Sequence, residues 1–215
     1  MRFPSIKFLL ALGVATIAVQ AAADSSEVAM VTSLQGKANR VAPLGPQVVE
    51  AFTKLKHGDL LALDKGATLQ LVYFENGRQE TWHGPGKLEI AKTDSTPKGL
   101  KPAEVKILPA VMVKQIAKTP VLESQGRAGM MRLRGVASAE DIATVEDTYR
   151  QMRQEANGKG IQPELYLLSA LFELHEFDRV DKALADLQRG QAGNPDVPNV
   201  VAIYTKAVKS ARAAK

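Results

Sequence analysis

The sequence contains no cysteine, and this absence excludes several kinds of site at once. A disulfide framework, a thiolate metal site, a cysteine nucleophile and a lipid-modified cysteine all require a sulfhydryl group. The fold must therefore be stabilised by packing and hydrogen bonding alone.

Histidines and catalytic motifs are scarce as well. The three histidines, His57, His83 and His175, lie in separate segments and form no metal-binding pair at i,i+4 spacing. The sequence has no H-E-x-x-H, no G-x-S-x-G and no glycine-rich phosphate-binding motif. We therefore predict that the protein is not an enzyme, has no metal site and needs no cofactor.

Long hydrophobic runs are absent after the N-terminus. Residues 1–23 contain the basic Arg2 and Lys7, an apolar run from Phe8 to Val19, and the small residues Ala21–Ala23. This order is typical of a secretory signal peptide, and the run is shorter than the ~20 apolar residues of a membrane span. We predict that residues 1–23 are removed, leaving a periplasmic or, alternatively, secreted chain without a membrane span. Retention of the segment as an anchor is the other interpretation.

The sequence also lacks a concentrated charge of one sign. Its formal net charge of +5 falls to +3 without Arg2 and Lys7, and basic residues are scattered among acidic ones. A nucleic-acid-binding surface needs a basic cluster, so we predict no nucleic-acid partner.

What is present between residues 24 and 109 is the pattern of a small all-β domain. Short apolar runs bounded by turn residues predict strands at Val28–Leu34, Gln47–Leu55 and Leu60–Leu63. Residues 93–102 are rich in turn formers and predict an exposed loop. Strands of this length predict a β barrel or a β sandwich.

The clearest local signal is a hairpin. Residues 67–75 alternate, which places Leu69, Leu71 and Tyr73 on one face, and Asn76-Gly77 predicts a tight turn into a return strand, Arg78–His83.

The only tryptophan lies at the end of this hairpin, in the stretch Trp82-His83-Gly84-Pro85-Gly86. One interpretation is a corner of the β domain, with Trp82 buried and His83 facing water. The other is a binding site for a ligand or partner formed by Arg78, Trp82 and His83.

Several turns of this region match a known family. Gly36-Lys37, the stretch 56–61, the stretch 66–71 and Phe74-Glu75-Asn76-Gly77 resemble the periplasmic domain of FecR-like proteins, over about residues 29–91. The resemblance implies an all-β interaction module in the bacterial envelope. In the regulators of that family the domain relays a signal from an outer-membrane receptor to a sigma factor through one membrane span. This chain shows neither that span nor the cytoplasmic segment preceding it.

Residues 110–137 form a predicted connector. Residues 110–117 favour a short helix over a strand. The segment Gly126–Gly135 carries Arg127, Arg132 and Arg134, which predict the wet face of a strand or, alternatively, a cationic surface for an anionic partner.

Helical periodicity extends over residues 138–215. Four helices are predicted, beginning at a capping box at Ser138, at Pro163, at Arg179 and at Val197. Short connections predict an antiparallel four-helix bundle. The second and third helices resemble one tetratricopeptide hairpin, through positions such as Leu165, Leu168, Phe177 and Leu184.

These observations predict an α+β protein with segregated parts. We expect an exported, non-enzymatic protein of the cell envelope that binds or scaffolds a protein partner through its FecR-like β domain and a helical groove. The alternative is a periplasmic sensor or carrier of a small ligand or cell-wall glycan at Arg78, Trp82 and His83.

Overall fold

A computed structural model describes residues 26–120, 138–158 and 160–214. The described residues comprise ten strands followed by five helices, which confirms the predicted α+β class with segregated parts. The predicted signal peptide, residues 1–23, and the predicted segment Gly126–Gly135 lie outside the described residues.

The strands form two antiparallel five-stranded sheets, and neither sheet closes into a barrel within the described part of the chain. Sheet A has the order β10–β7–β6–β1–β4 and sheet B the order β3–β2–β5–β8–β9. The strands are β1 (Glu27–Gln35), β2 (Ala38–Arg40), β3 (Gln47–Val49), β4 (Lys54–Lys56), β5 (Leu60–Leu63), β6 (Thr68–Tyr73), β7 (Arg78–His83), β8 (Gly86–Ile90), β9 (Ser95–Lys98) and β10 (Pro102–Ile107).

One hydrophobic core lies between the two sheets. It consists of alternate residues of neighbouring strands, because successive side chains of a strand point to opposite faces. The alternation predicted for β6 is confirmed, since Leu69, Leu71 and Tyr73 are all buried in this core. Sheet B contributes Leu61 and Leu88 from its own inner face.

The predicted hairpin is confirmed as β6 and β7. Gly77 has a φ of +70°, a backbone conformation that glycine adopts without steric cost. The Gly77 N–H donates to the carbonyl of Tyr73 at 3.1 Å.

Two strand predictions were wrong. The run Gln47–Leu55 is not one strand, because Phe52 has a φ of +68° and the chain crosses there from β3 in sheet B to β4 in sheet A. The predicted loop 93–102 contains the strand β9, and it ends where β10 begins. Pro97 lies in β9, which a proline tolerates because this strand is an edge of its sheet.

The helices are α1 (Ala110–Ile116), α2 (Ala139–Glu155), α3 (Gln162–Glu173), α4 (Phe177–Gly190) and α5 (Val197–Ala213). The capping box is confirmed, with the Ser138 hydroxyl accepting from the Asp141 N–H while the Asp141 carboxylate accepts from the Ser138 N–H. Pro163 lies in the first turn of α3, as predicted. Residues 110–116 are helical, as the sequence favoured.

The helices pack on the outer face of sheet A and share a core with it. Met30 of β1 and the crossing residue Phe52 are buried together with Ile116 and Leu165 of the helices. The contact also has a polar part. Gln162 donates from Nε2 to Oε1 of Gln70 at 2.5 Å, so the two parts form one packed body with three layers.

The strand β10 is linked to α1 by only two residues. The Leu108 N–H donates to the Gly77 carbonyl at 2.9 Å, and Pro109 is the N-cap of α1. None of the helices in the described residues is both long and apolar enough to cross a membrane.

Candidate functional site

Arg78, Glu80 and Trp82 occupy alternate positions of β7 and point to the inner face of sheet A. Glu80 is 0 % exposed and Trp82 is 1 % exposed. Arg78 Nε lies 2.5 Å from Oε1 of Glu80, and the Trp82 indole N–H donates to Oε2 of Glu80 at 3.0 Å. The Glu80 carboxylate therefore contacts both Arg78 and Trp82, two of the predicted site residues.

Glu80 also connects β7 to sheet B. The backbone N–H of Ser95 in β9 donates to Oε1 of Glu80 at 3.4 Å. The Ser95 hydroxyl shares a 2.8 Å hydrogen bond with the hydroxyl of Tyr73. Burial raises the pKa of Tyr73 above its ordinary value, and the Ser95 hydrogen bond partly opposes that shift. The cluster is a polar cross-link through the core.

His83 does not join this cluster. It points to the other face of β7 and is exposed, and its Nδ1 lies 3.0 Å from Oγ1 of Thr68 in β6. The Gly84–Pro85 peptide bond that follows is cis. The structure therefore brings Arg78 and Trp82 together and places His83 apart, an arrangement that matches the corner interpretation of this stretch.

A more open site lies among the helices. Because α2 and α4 both pack against α3, they form the two walls of a valley whose bottom is α3. The valley has a volume of about 390 Å³. Its apolar lining consists of Leu167, Leu168, Leu171, Ala183 and Leu187.

One end of the valley is closed by a buried carboxylate. Glu164 of α3 lies 3.2 Å from Nε of Arg153 and accepts a hydrogen bond of 3.2 Å from the Tyr149 hydroxyl, both of α2. Burial raises the pKa of Glu164, and the Arg153 charge opposes that rise. Burial, followed by the negative charge of Glu164, raises the pKa of Tyr149 to about 12. At neutral pH the phenol is therefore neutral and acts as a hydrogen-bond donor.

The opposite end is bridged by an ion pair between the walls. Nη1 of Arg179 in α4 lies 2.6 Å from Oε1 of Glu146 in α2. Other charges of the lining are paired locally, Arg150 with Asp147 and Asp186 with Arg189. The accessible apolar side chains of the valley are thus the half-buried Leu167 and Ala183, and most charged groups of its walls are paired, which favours an apolar side chain over a small charged ligand.

A second, shallower groove runs along the outer side of α5. It has a volume of about 690 Å³, and its lining includes Val197, Val201, Lys206 and Lys209. Among the described residues, the groove is bordered by the end of α4, by Ala192 and by one face of α5, so it encloses less of a bound segment than the valley does.

Exposed apolar side chains mark two further surfaces. The β2–β3 hairpin carries Leu44, 101 % exposed, and Val48, 77 % exposed. On the other side of the β part, β10 carries Val105 and Ile107, which are 39 % and 67 % exposed.

The sequence predicts a helical groove but not the residues that line it, because its walls come from helices whose packing a single sequence does not determine. Glu80, in contrast, had a readable signal. Arg78, Glu80 and Trp82 alternate within one predicted strand, so they had to share a face. Among the described residues, no cluster of three or more histidine or acidic side chains is arranged to hold a metal ion.

Comparison of the chain with protein-family models, with curated proteins and with solved structures finds no match. The resemblance to FecR-like domains and to a tetratricopeptide hairpin therefore stays a prediction from the residues quoted above.

Proposed function

We propose that the protein is an exported, non-enzymatic binding or scaffolding protein of the bacterial cell envelope, and that its helical valley holds a segment of a protein partner. The valley between α2 and α4 is the observation that carries the proposal. An amphipathic segment docks by placing its apolar side chains in such a groove. The half-buried Leu167 of α3 and Ala183 of α4 offer that contact, above the buried Leu168 and Leu171, and the paired charges on both walls offer a polar rim.

The FecR-like β part supplies a second contact in this proposal. The β2–β3 hairpin projects Leu44 and Val48 into solvent at the edge of sheet B. Exposed apolar groups on an edge strand are a means of adding a partner's strand or side chain. The protein would then hold partner segments at two separated places.

The sensor or carrier alternative receives less support from the geometry. Trp82 is buried and its indole N–H is already used by Glu80. His83 points to the opposite face. A glycan that stacks on the indole would have to open the sandwich.

Site-specific photo-crosslinking tests the proposal. A photoreactive amino acid at Ala183, on the wall of the valley, is expected to crosslink a discrete polypeptide in intact cells. The same amino acid at Ala202, on the outer groove of α5, is the matched control. Leu167→Lys, introduced together with the Ala183 probe, is expected to remove the crosslink without unfolding the protein. Equal labelling from both positions, or labelling that survives Leu167→Lys, would exclude the valley as the binding site.

Export is tested separately. Fractionation of cells that express the full sequence is expected to give a periplasmic chain whose first residue is Asp24. A chain that keeps residues 1–23 and sediments with membranes would contradict the predicted cleavage.

A further inference from the structure

The strand β10 has an inner face that nothing in the described part of the chain covers. Register pairs Val105 with Glu80 and Ile107 with Arg78 of β7. Residues directly opposite each other in antiparallel strands share a face, so Val105 and Ile107 lie on the side of sheet A that elsewhere forms the core. All six residues of β10 are nevertheless exposed.

β10 is also an edge strand. Its single neighbour among the described strands is β7, so its other side carries backbone N–H and C=O groups that no strand pairs. Such an edge is a template for pairing with another strand. Six residues extend over roughly 20 Å, which is enough for a short antiparallel ladder.

The charges of β10 select what can pair with it. Glu104 and Lys106 lie on the outer face, where Lys106 Nζ is 2.7 Å from Oε1 of Glu104. Two copies of β10 that pair antiparallel are related by a two-fold axis. If both copies keep their inner faces on the same side, this axis must pass through a residue, because neighbouring residues of a strand point to opposite faces. Centring on Glu104 opposes two glutamates, and centring on Lys106 opposes two lysines. Centring on Val105 opposes each Glu104 to a Lys106 and leaves Ile107 opposite Ala103, where the register of β10 on β7 shifts.

We propose that β10 is a self-association surface, through which two copies of the chain pair antiparallel with Val105 opposite itself. The two copies of sheet A then join edge to edge. Val105 and Ile107 of both copies form one apolar strip on the inner side, and two Glu104–Lys106 pairs form on the outer side. This inference does not depend on what the helical valley binds.

The expected dimer is weak. One short strand pair buries less surface than the standard stable interface, which buries about 1,600 Å² in total. Association should therefore depend on protein concentration across the range that sedimentation equilibrium covers.

Charge reversal on β10 tests the register. By symmetry, Glu104→Lys or Lys106→Glu creates two like-charge pairs, so each is expected to raise the dimer dissociation constant roughly tenfold or more. The double variant Glu104→Lys/Lys106→Glu, and an equimolar mixture of the two single variants, should both restore dimerisation. Both substituted positions are exposed, so circular dichroism should show an unchanged fold.

A second pair of variants separates β10 from other surfaces. Val105→Lys should abolish the dimer, whereas Val48→Lys, an equal change on the edge strand β3, should leave it intact. The proposal is overturned if the unmodified chain stays monomeric at every soluble concentration. It is also overturned if single charge reversals have no effect, or if Val48→Lys acts as strongly as Val105→Lys.

Discussion

Trp82 donates its indole N–H to Oε2 of Glu80 at 3.0 Å, although both side chains are buried. The indole of Trp82 is thus in direct contact with the Glu80 carboxylate inside the β sandwich. A buried carboxylate is tolerated where hydrogen bonds and a cation satisfy it, and here Arg78 and the Ser95 N–H complete the set.

Replacing that carboxylate by an amide should destabilise the protein. Glu80→Gln leaves one acceptor oxygen and turns an NH₂ group toward a donor, so we expect the free energy of unfolding to fall by about 2 kcal/mol. Urea unfolding followed by Trp82 fluorescence measures the change. Glu89→Gln is the control, because Glu89 pairs with Lys98 at the surface and should change stability by less than about 1 kcal/mol. Equal losses in the two variants would show that the Glu80 cluster has no special weight.

Gly77, in the turn between β6 and β7, and Gly58, in the turn between β4 and β5, form a matched pair. A β carbon at Gly77 would lie 2.7 Å from the carbonyl oxygen of Leu108, whereas one at Gly58 would meet nothing within 4 Å. Both residues have positive φ, +70° and +84°. Gly58→Ala should therefore cost about 1 kcal/mol through backbone strain alone. Gly77→Ala should cost clearly more, because the clash is with backbone that cannot rotate away. Thermal unfolding of both variants decides this, and an equal loss would contradict the close contact of the hairpin with Leu108.

Alkaline pH should weaken the helical core through Tyr204. Its hydroxyl lies 2.5 Å from Oγ of Ser169, and burial raises its pKa from 10.0 to about 12. Because the folded-state pKa is the higher one, the stabilisation is complete below the unfolded value and is lost as pH rises through the folded value. The loss is about 1.4 kcal/mol for each pH unit within that window.

Tyr204→Phe removes this titration. At neutral pH the variant should be less stable by about 1 kcal/mol, since one hydrogen bond is lost. As the pH is raised through the window, the difference should shrink and then change sign. Urea unfolding of both proteins at a series of pH values measures it. A constant difference across the whole range would mean that Tyr204 does not titrate with unfolding.

The shared core predicts coupled unfolding of the two parts. Met30 belongs to sheet A but is buried among helical residues. Met30→Ala should lower the free energy of unfolding by about 2 to 5 kcal/mol. The fluorescence of Trp82 in the sandwich and the helical circular dichroism signal should still change at one urea concentration. Two separated transitions would show that the sheets and the helices fold as independent units.

The parts of this fold that the sequence predicts are those fixed by neighbouring residues. The Asn76-Gly77 hairpin, the Ser138 capping box and the start of α5 at Val197 follow from local chemistry, and the structure confirms them. The interruption of the predicted strand at Phe52 does not follow from local chemistry, because a phenylalanine at positive φ has no sequence signature. Its strain is offset by burying the ring among the helices, a contact with residues far along the chain.

The Glu80 cluster and the helical valley also differ in how much of each the sequence predicts. The common face of Arg78 and Trp82 follows from strand alternation. The same alternation predicts that Glu80 shares this face with them, but it does not predict that the Glu80 side chain is buried. One partner of the buried carboxylate is the Ser95 N–H of β9, and residues 93–102 are predicted as a loop because they are rich in turn formers. The valley depends on how α2 and α4 pack against α3. Helical periodicity predicts the apolar face of each helix, but it does not predict which helices pack against that face.

The two-residue link between β10 and α1 makes the outer edge of the sandwich a mechanical part of the helical layer. The Leu108 N–H donates to the Gly77 carbonyl, and the Val113 N–H of α1 donates to the Pro109 carbonyl. Both residues of the link are therefore fixed by backbone hydrogen bonds. A load applied along β10 is therefore borne by α1 and by its contacts with α3, the helix that forms the bottom of the valley.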